Sequence, residues 1–256
     1  MRIGMLRLLP LALVLLCCLV ACNSKKRLLS VEGGNIKVVA LEGREDAAGE
    51  VRALLSRGRV LVDSIKRPVI GKAAMPLEKY VPESPLMNFA ADALLSTARE
   101  YTGQHIDVAI TNKGGLRSNI AEGAVTFGDL YNVFPFENTL ALLTLDGSQL
   151  LQLCREIASV GGEAVAGLRL VITSDGSLVS AEVNGEPIDE GRRYRVATSD
   201  YLSQGNDRMS ALALGCDRDV RSDITIRDLM VSYISKLHAE GRELSAVCDG
   251  RITIKE

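Results

Sequence analysis

From Val69 onward the sequence alternates between two hydrophobic periods, and the switches between them are marked by capping and turn residues. Ser84 before Pro85 reads as a helix N-cap with proline at the first position, and Leu86, Phe89, Ala90, Ala93, Leu94 and Ala98 then recur on one face through 101. Residues 106–111 form an apolar strand that ends in the glycine turn Lys113-Gly114-Gly115. Further strands are expected at 140–145, 168–173, 178–183, 193–198 and 251–254, and helices at 147–160 and 224–237. Mixed strands and helices over about 175 residues restrict the fold to one α/β (α+β) domain, a mixed sheet with helices packed on it.

The first 21 residues stand apart from that pattern. Arg2 and Arg7 precede an uncharged apolar run from 8 to 21, the layout of a secretory signal and shorter than the roughly 20 residues of a spanning helix. The run ends at Leu19-Val20-Ala21-Cys22, which resembles the bacterial lipobox, in which the cysteine is lipidated and becomes the first mature residue. Lipidation at Cys22 implies a cell-envelope protein held at the outer membrane or on the periplasmic face of a membrane, because several acyl chains make anchoring effectively permanent. Lys25-Lys26-Arg27 opens a polar tether, 36–41 suggests a short strand, and 47–55 has helical spacing with Val51, Leu54 and Leu55 together.

Charge and composition narrow the chemistry. Thirty Lys and Arg against 32 Asp and Glu give a net charge of -2, so no long-range field draws the chain to a nucleic acid polymer, and any bound anion is caught locally. The only histidines are His105 and His238, too few for a self-contained dinuclear hydrolytic centre, so no metal site is expected in this chain. Cys154, Cys216 and Cys248 follow the signal in no metal-binding pattern and are read as buried structural cysteines, with at most one disulfide among them.

Three strand-end segments offer recognition chemistry. In Asn112-Lys113-Gly114-Gly115-Leu116-Arg117 the glycines let a ligand approach the backbone, while Asn112 and Arg117 supply an amide and a fixed cation. The segment fits neither the Walker loop nor GxGxxG. Asn132-Val133-Phe134-Pro135-Phe136-Glu137-Asn138 holds two of only ten Phe and Tyr residues, and there is no Trp. An exposed ring on a proline-fixed turn can wall a slot for a flat base, and spacing alone equally allows a core Phe. The stretch 198–207 places Tyr201 six positions before Asp207, an aromatic wall beside a carboxylate that can accept both hydroxyls of a ribose.

In this order and at these distances, the three segments together resemble the C-terminal domain of the bacterial and animal 5'-nucleotidase family. The first loop has the family's Asn, glycines, hydrophobe and Arg, and Gly123-Ala124-Val125-Thr126 through Pro135-Phe136-Glu137-Asn138 matches its G-x-[IV]-[TS] to P-F-x-N stretch. Glu83-Ser84-Pro85-Leu86-Met87-Asn88 with Asp92-Ala93 is similar to its usual helix start, and 145–150 and 194–201 also look alike. The resemblance covers about 68–254. It departs at Gly205-Asn206-Asp207-Arg208-Met209, where the family usually has GGDG[YF], and at Lys79, Tyr80 and Glu83, where some members place an Arg.

The resemblance implies a base stacked between Phe136 and Tyr201, a ribose on Asp207, and phosphate or ribose at Arg117. It further implies that Asn112 and Asn138 hydrogen-bond ligand, that Gly115 belongs to the binding loop and that Gly162 lines the base pocket. Full-length members place a calcineurin-like metallophosphatase domain first, built on Asp-x-His, Gly-Asn-His-[DE] and Gly-His-x-His, and none of these motifs occurs here. The expected organisation is a lipoprotein signal peptide at 1–21, lipidated Cys22 with tether and lead-in at 22–66, and a 5'-nucleotidase C-terminal-like domain at 67–256. The expected function is nucleoside or nucleotide recognition in a split 5'-nucleotidase, with a separate metallophosphatase supplying Zn or Mn and the hydrolysis. The alternative is a stand-alone nucleoside-binding lipoprotein without hydrolytic role.

Overall fold

The structure is a computed structural model that describes residues 45–255; the signal segment, Cys22, the basic tether and the strand expected at 36–41 lie outside the described residues. Residues Arg52–Glu256 form one compact unit. Helix α1 (Glu45–Lys66) leads to strand β1 (Val69–Ala73), helix α2 (Pro85–Thr102) and strand β2 (Val108–Thr111). After a 3-10 turn at Lys113–Gly115 come β3 (Gly123–Thr126), α3 (Phe127–Val133), β4 (Thr139–Asp146), α4 (Gly147–Ser159) and β5 (Ala164–Ala166). The chain continues through β6 (Leu168–Thr173), β7 (Leu178–Val183), β8 (Glu186–Pro187), β9 (Arg193–Ser199) and the short helices α5 (Asp200–Ser203) and α6 (Ser210–Ala213). It ends with β10 (Cys216–Thr225), α7 (Ile226–Ala239) and β11 (Ile252–Lys255).

Local chemistry sets the helix boundaries. Ser84 Oγ accepts from the Met87 N–H at 3.3 Å, and at the other end of α2 Gly103, at φ 65°, donates its N–H to Arg99 O. Thr126 with Asp129 and Thr225 with Asp228 form reciprocal capping boxes that start α3 and α7. Those boxes were the available signal for α3, a 7-residue helix too short to show periodicity.

The central sheet has the order β10-β4-β9-β2-β5, and within it only β2 and β9 run parallel. Its two faces belong to different cores. Ala109, Ala164, Ala166 and Ala197 join Leu140 and Leu142 on the face packed by α2 and α7, and their small side chains let α2 sit close. Val108, Ile110, Leu143, Leu145, Val165, Tyr194 and Val196 point the other way, toward α4 and the second sheet, β11-β6-β7-β8. Burial on both faces is why β4 reads as a continuous apolar run rather than an alternation. A third pairing, β1 with β3, completes the strands.

Several expectations needed correction. Strand β10 was missed because CDRDVRSDIT is charged and largely exposed, as an edge strand facing water is. Helix α1 runs to Lys66, well past the 55 expected from its spacing. Cys154 is buried, its thiol pushed up to about 12 by desolvation, but Cys216 and Cys248 are exposed, and all three are free.

The Glu83-to-Asp92 motif turns out to hold the C-terminal segment against α2. Buried Glu83 accepts from Asn88 Nδ2 at 2.6 Å and from the Asp249 and Gly250 N–H groups at 2.7 and 3.1 Å. Asn88 Nδ2 also donates to Val247 O at 2.9 Å. Arg251 completes the clamp, donating to both oxygens of Asp92 at 2.8 and 3.0 Å, to Val165 O at 2.9 Å and to Asp249. Burial works against its charge, yet the Asp249 and Asp92 carboxylates outweigh that and hold the guanidinium above its ordinary value.

Arg251→Ala should therefore lower the unfolding free energy by about 2 kcal/mol, less than a fully buried pair because both carboxylates are partly wet, as measured by urea titration. Asp249 is held below the usual carboxylate range, first by its hydrogen bond from Arg251. Its contribution is present at neutral pH and is lost as pH falls through that depressed value. The stability gap between the parent protein and Arg251→Ala should narrow in acid; a gap that is constant with pH would exclude this linkage.

Candidate functional site

The pairing of β9 with both of its neighbours decides where the site forms. Because β2 runs parallel to β9, with Val108 opposite Val196 and Ala109 opposite Ala197, the segments after both strands leave the sheet at one end. Because β4 runs antiparallel to β9, with Leu140 opposite Ser199, the segment before β4 arrives at that same end. The three segments close on a cleft of about 370 Å³ lined by Asn112, Gly114, Arg117, Phe136, Asn138, Tyr201 and Asp207. That volume is within the range of small-molecule pockets, and the carboxyl ends of parallel strands are their usual location in α/β sheets.

In the first segment Gly115 is required for space. A Cβ there would lie 2.8 Å from Asn112 Oδ1, and Asn112 is the residue whose Nδ2 donates to Asp207 Oδ2 at 2.5 Å. The turn is fastened from behind. Lys79 Nζ donates to Lys113 O at 3.2 Å and Leu116 O at 2.6 Å, while Lys113 Nζ donates to Val160 O and Gly162 O at 2.6 and 2.7 Å. The Lys113 N–H donates to Glu163 Oε2, and Lys113 Nζ lies 3.4 Å from the other oxygen. Burial raises the Glu163 carboxyl above its usual range, and Lys113 offsets part of that rise. Arg117 remains exposed, its Nη1 donating to Gly114 O at 3.3 Å.

In the second segment Phe134 is buried while Phe136 is 49% exposed, so the ring at the cleft is Phe136. Arg227 of α7, buried and stacked 4.6 Å over the Tyr131 ring, donates to Phe134 O at 2.9 Å and pairs with Glu137. It grips the turn on both sides of Phe136. The segment is tied down further where the Ile226 N–H donates to Asn138 O at 2.8 Å and the Thr139 N–H donates to Asp200 Oδ1 at 3.0 Å.

The third segment supplies Tyr201, 39% exposed, whose hydroxyl donates to Asp207 Oδ1 at 2.9 Å; that bond raises the phenol above its ordinary value. Asp207 and Arg208 hold φ of 54° and 65°, in the left-handed region, and at Arg208 the resembling pattern has glycine. Asn206 Nδ2 braces this turn on Tyr201 O at 2.8 Å. The Asp207 carboxylate thus spans Tyr201 and Asn112, and with about four lone-pair sites it can still accept two further hydroxyl protons.

Of the residues singled out in the sequence, Asn112, Arg117, Phe136, Asn138, Tyr201 and Asp207 come together in the cleft. Gly115 lines an adjoining recess with Thr111, Phe134, Ser199 and Ile226. Gly162 lies outside both linings. At φ 108° its missing Cβ would sit 2.3 Å from Pro82 O, so it serves close backbone packing, and its own carbonyl accepts from Lys113. Lys79, Glu163 and Arg227 escaped the sequence reading because each acts across a long stretch of chain. A more open groove of about 560 Å³ beside Asp92, Arg99 and Lys236 is larger but has no aromatic wall.

The cleft residues do not fit a hydrolytic metal pair. Its lining offers one carboxylate, Asp207, already engaged on both oxygens. Among the described residues no group of three or more His, Cys, Asp or Glu side chains could hold an ion, and His105 and His238 are both exposed.

Comparison with known proteins identifies the family. Residues 68–214 match the family described as 5'-nucleotidase, C-terminal domain. The trifunctional nucleotide phosphoesterase protein YfkN of Bacillus subtilis is 27% identical over 248 residues, covering 89% of this chain and 17% of that protein. The NAD 5'-nucleotidase of Haemophilus influenzae is 37% identical over 121 residues, covering 40% of this chain and 20% of its own length. A 5'-nucleotidase precursor from Thermus thermophilus superposes with a TM-score of 0.67 at 26% identity, over 82% of this chain and 43% of that one. The chain spans about a fifth of the length of these two curated relatives. With the family match extending over more than half of its length, the chain belongs to the 5'-nucleotidase family through its C-terminal domain.

Proposed function

We propose that this protein is the nucleoside- or nucleotide-recognition part of a split 5'-nucleotidase, held in the bacterial cell envelope by lipid on Cys22. The observation that carries the reading is the convergence of two exposed rings, Phe136 and Tyr201, with the Asp207 carboxylate and the Arg117 guanidinium around one cleft. A base stacks between the rings, the ribose hydroxyls take the free lone pairs of Asp207, and the phosphate lies toward Arg117. Asn112 and Asn138 donate or accept at the ligand's polar edges. The near-neutral chain provides no steering field, so the affinity comes from these contacts.

The hydrolytic metals, Zn or Mn, belong to a separate calcineurin-like metallophosphatase, where they would activate water and steady the leaving oxygen. This chain binds and orients; no bond-breaking step is assigned to its residues. The support is the poor fit of the cleft to metal, its lining offering one carboxylate, Asp207, engaged on both oxygens. The second reading, a stand-alone nucleoside-capture lipoprotein, uses the same cleft and differs only in having no catalytic partner.

Calorimetry of the folded protein with adenosine should show binding that Phe136→Ala and Tyr201→Ala each weaken by about tenfold or more, the stacking of one base being worth about 1–3 kcal/mol. Tyr201→Phe, which keeps the ring, should lose less. No binding of any nucleoside or nucleotide would remove both readings. With Mn or Zn, AMP hydrolysis should require the added metallophosphatase, and substantial turnover by this chain alone would overturn the split arrangement.

Two further variants probe how the cleft is held. Gly115→Ala should weaken adenosine binding by about tenfold by pushing the Asn112 amide off Asp207, with the melting temperature little changed. Arg227→Ala should weaken both binding and stability, because it frees the Phe136 turn and leaves Glu137 and Phe134 O without their donor. Unaltered binding in Arg227→Ala would show that the turn holds without it.

A further inference from the structure

Helix α1 carries an apolar face that the folded unit leaves uncovered. Leu54, Leu55, Leu61, Val62 and Ile65 recur at helical spacing and are between 47% and 70% exposed. Single exposed leucines are ordinary, but five on one stripe of one helix are not. The stripe is bordered by cations on both sides. Arg52 and Arg59 lie seven residues apart along the edge next to Leu55 and Val62, and Arg57 lies along the other edge beside Leu54 and Leu61.

The C-terminal part of the helix is basic, whereas Glu45, Asp46 and Glu50 in its first turns bring Glu45–Lys66 as a whole to net zero. Residues 52–67 hold Arg52, Arg57, Arg59, Lys66 and Arg67 against a single acid, Asp63, which pairs with Arg67 at 2.8 Å. The whole chain has a net charge of -2. An anionic sheet with an apolar interior matches both features at once. Among the described residues no helix is long and apolar enough to cross a membrane, so α1 is suited to lying in a surface rather than through it.

We infer that α1 is an interfacial helix that seats its 52–66 stripe in an anionic lipid surface, with Leu54, Leu55, Leu61, Val62 and Ile65 inserted among the acyl chains. The guanidinium groups of Arg52, Arg57 and Arg59 reach outward to lipid phosphates, and Lys66, 4.9 Å over the Tyr131 ring, marks the end nearest the folded body. About 15 residues give a contact some 22 Å long. The inference does not depend on lipidation of Cys22 or on the nucleotide reading, since it rests on α1 alone.

The test uses the chain from residue 23 without lipid, which retains the whole unit Arg52–Glu256 with both of its cores. It is floated with vesicles of phosphatidylglycerol mixed with phosphatidylcholine, and with vesicles of phosphatidylcholine alone. Binding should favour the anionic vesicles, weaken as salt rises, and fall by about tenfold or more in the double variant Leu54→Asp, Leu61→Asp. Arg52→Glu with Arg59→Glu should abolish the preference for anionic lipid. All four positions are exposed on the helix, and a circular-dichroism melt of each variant verifies that the domain remains folded, so loss of vesicle binding is separable from unfolding and, with adenosine calorimetry run alongside, from failure of the nucleotide reading.

Every variant keeps Lys25-Lys26-Arg27, so vesicle binding that survives Leu54→Asp, Leu61→Asp would assign it to that triplet and overturn the inference. A dimer in light scattering that the same variant dissolves would assign the face to a second copy. Weakened capture of a metallophosphatase, with vesicle binding unchanged, would assign it to a protein partner.

Discussion

The register of β9 is the constraint on which the rest of the structure depends. Pairing Leu140 with Ser199 on one side and Ala109 with Ala197 on the other places three loop segments at one end of the sheet. Slipping either pairing by a residue would turn the core-facing side chains of that strand toward the opposite layer. The register is held because the two faces are chemically different. Ala109, Ala166 and Ala197 admit α2 at close range, whereas Val108, Ile110 and Val196 fill the wider space under α4. The cleft is therefore a by-product of core packing, and core substitutions in these strands would change its shape.

Around that scaffold the cleft is braced by charged side chains, of which Glu163 and Arg227 are buried. Lys79, Lys113 with Glu163, and Arg227 with Glu137 each fasten a loop to backbone carbonyls or to a carboxylate behind it. Cations suit this work because one ammonium or guanidinium satisfies several acceptors at once, and charge-assisted bonds hold loops that lack regular structure. The cost is a group such as Glu163, whose burial raises its carboxyl and is only partly offset by Lys113. Rings held in this way would give up little freedom if a base entered, as proposed, leaving more of the stacking energy for affinity.

Much of this was legible in the sequence where the signal is local. The Ser84-Pro85 cap, the apolar strands and the three strand-end segments all stand where their residues place them, because each needs only its neighbours to be recognised. What escaped is non-local or atypical. Strand β10 is charged on account of its edge position, α3 is a single capping box with little periodicity, and the joint work of Lys79, Glu163 and Arg227 spans from 37 to 93 positions of chain. Gly162 shows the limit of transfer by position. Its glycine is needed, but the need is the Pro82 backbone rather than a bound base. The Glu83-to-Asp92 motif similarly serves the C-terminal clamp.

The distribution of charge divides the chain into two kinds of surface. In the cleft a single exposed guanidinium, Arg117, stands opposite a single carboxylate, Asp207, so specificity for a small polar ligand arises from geometry at close range. On α1 the cations repeat along an apolar stripe, an arrangement that suits an extended surface and would contribute little to holding a small molecule. The two surfaces stand on different elements, so α1 can make contacts without disturbing the register that builds the cleft.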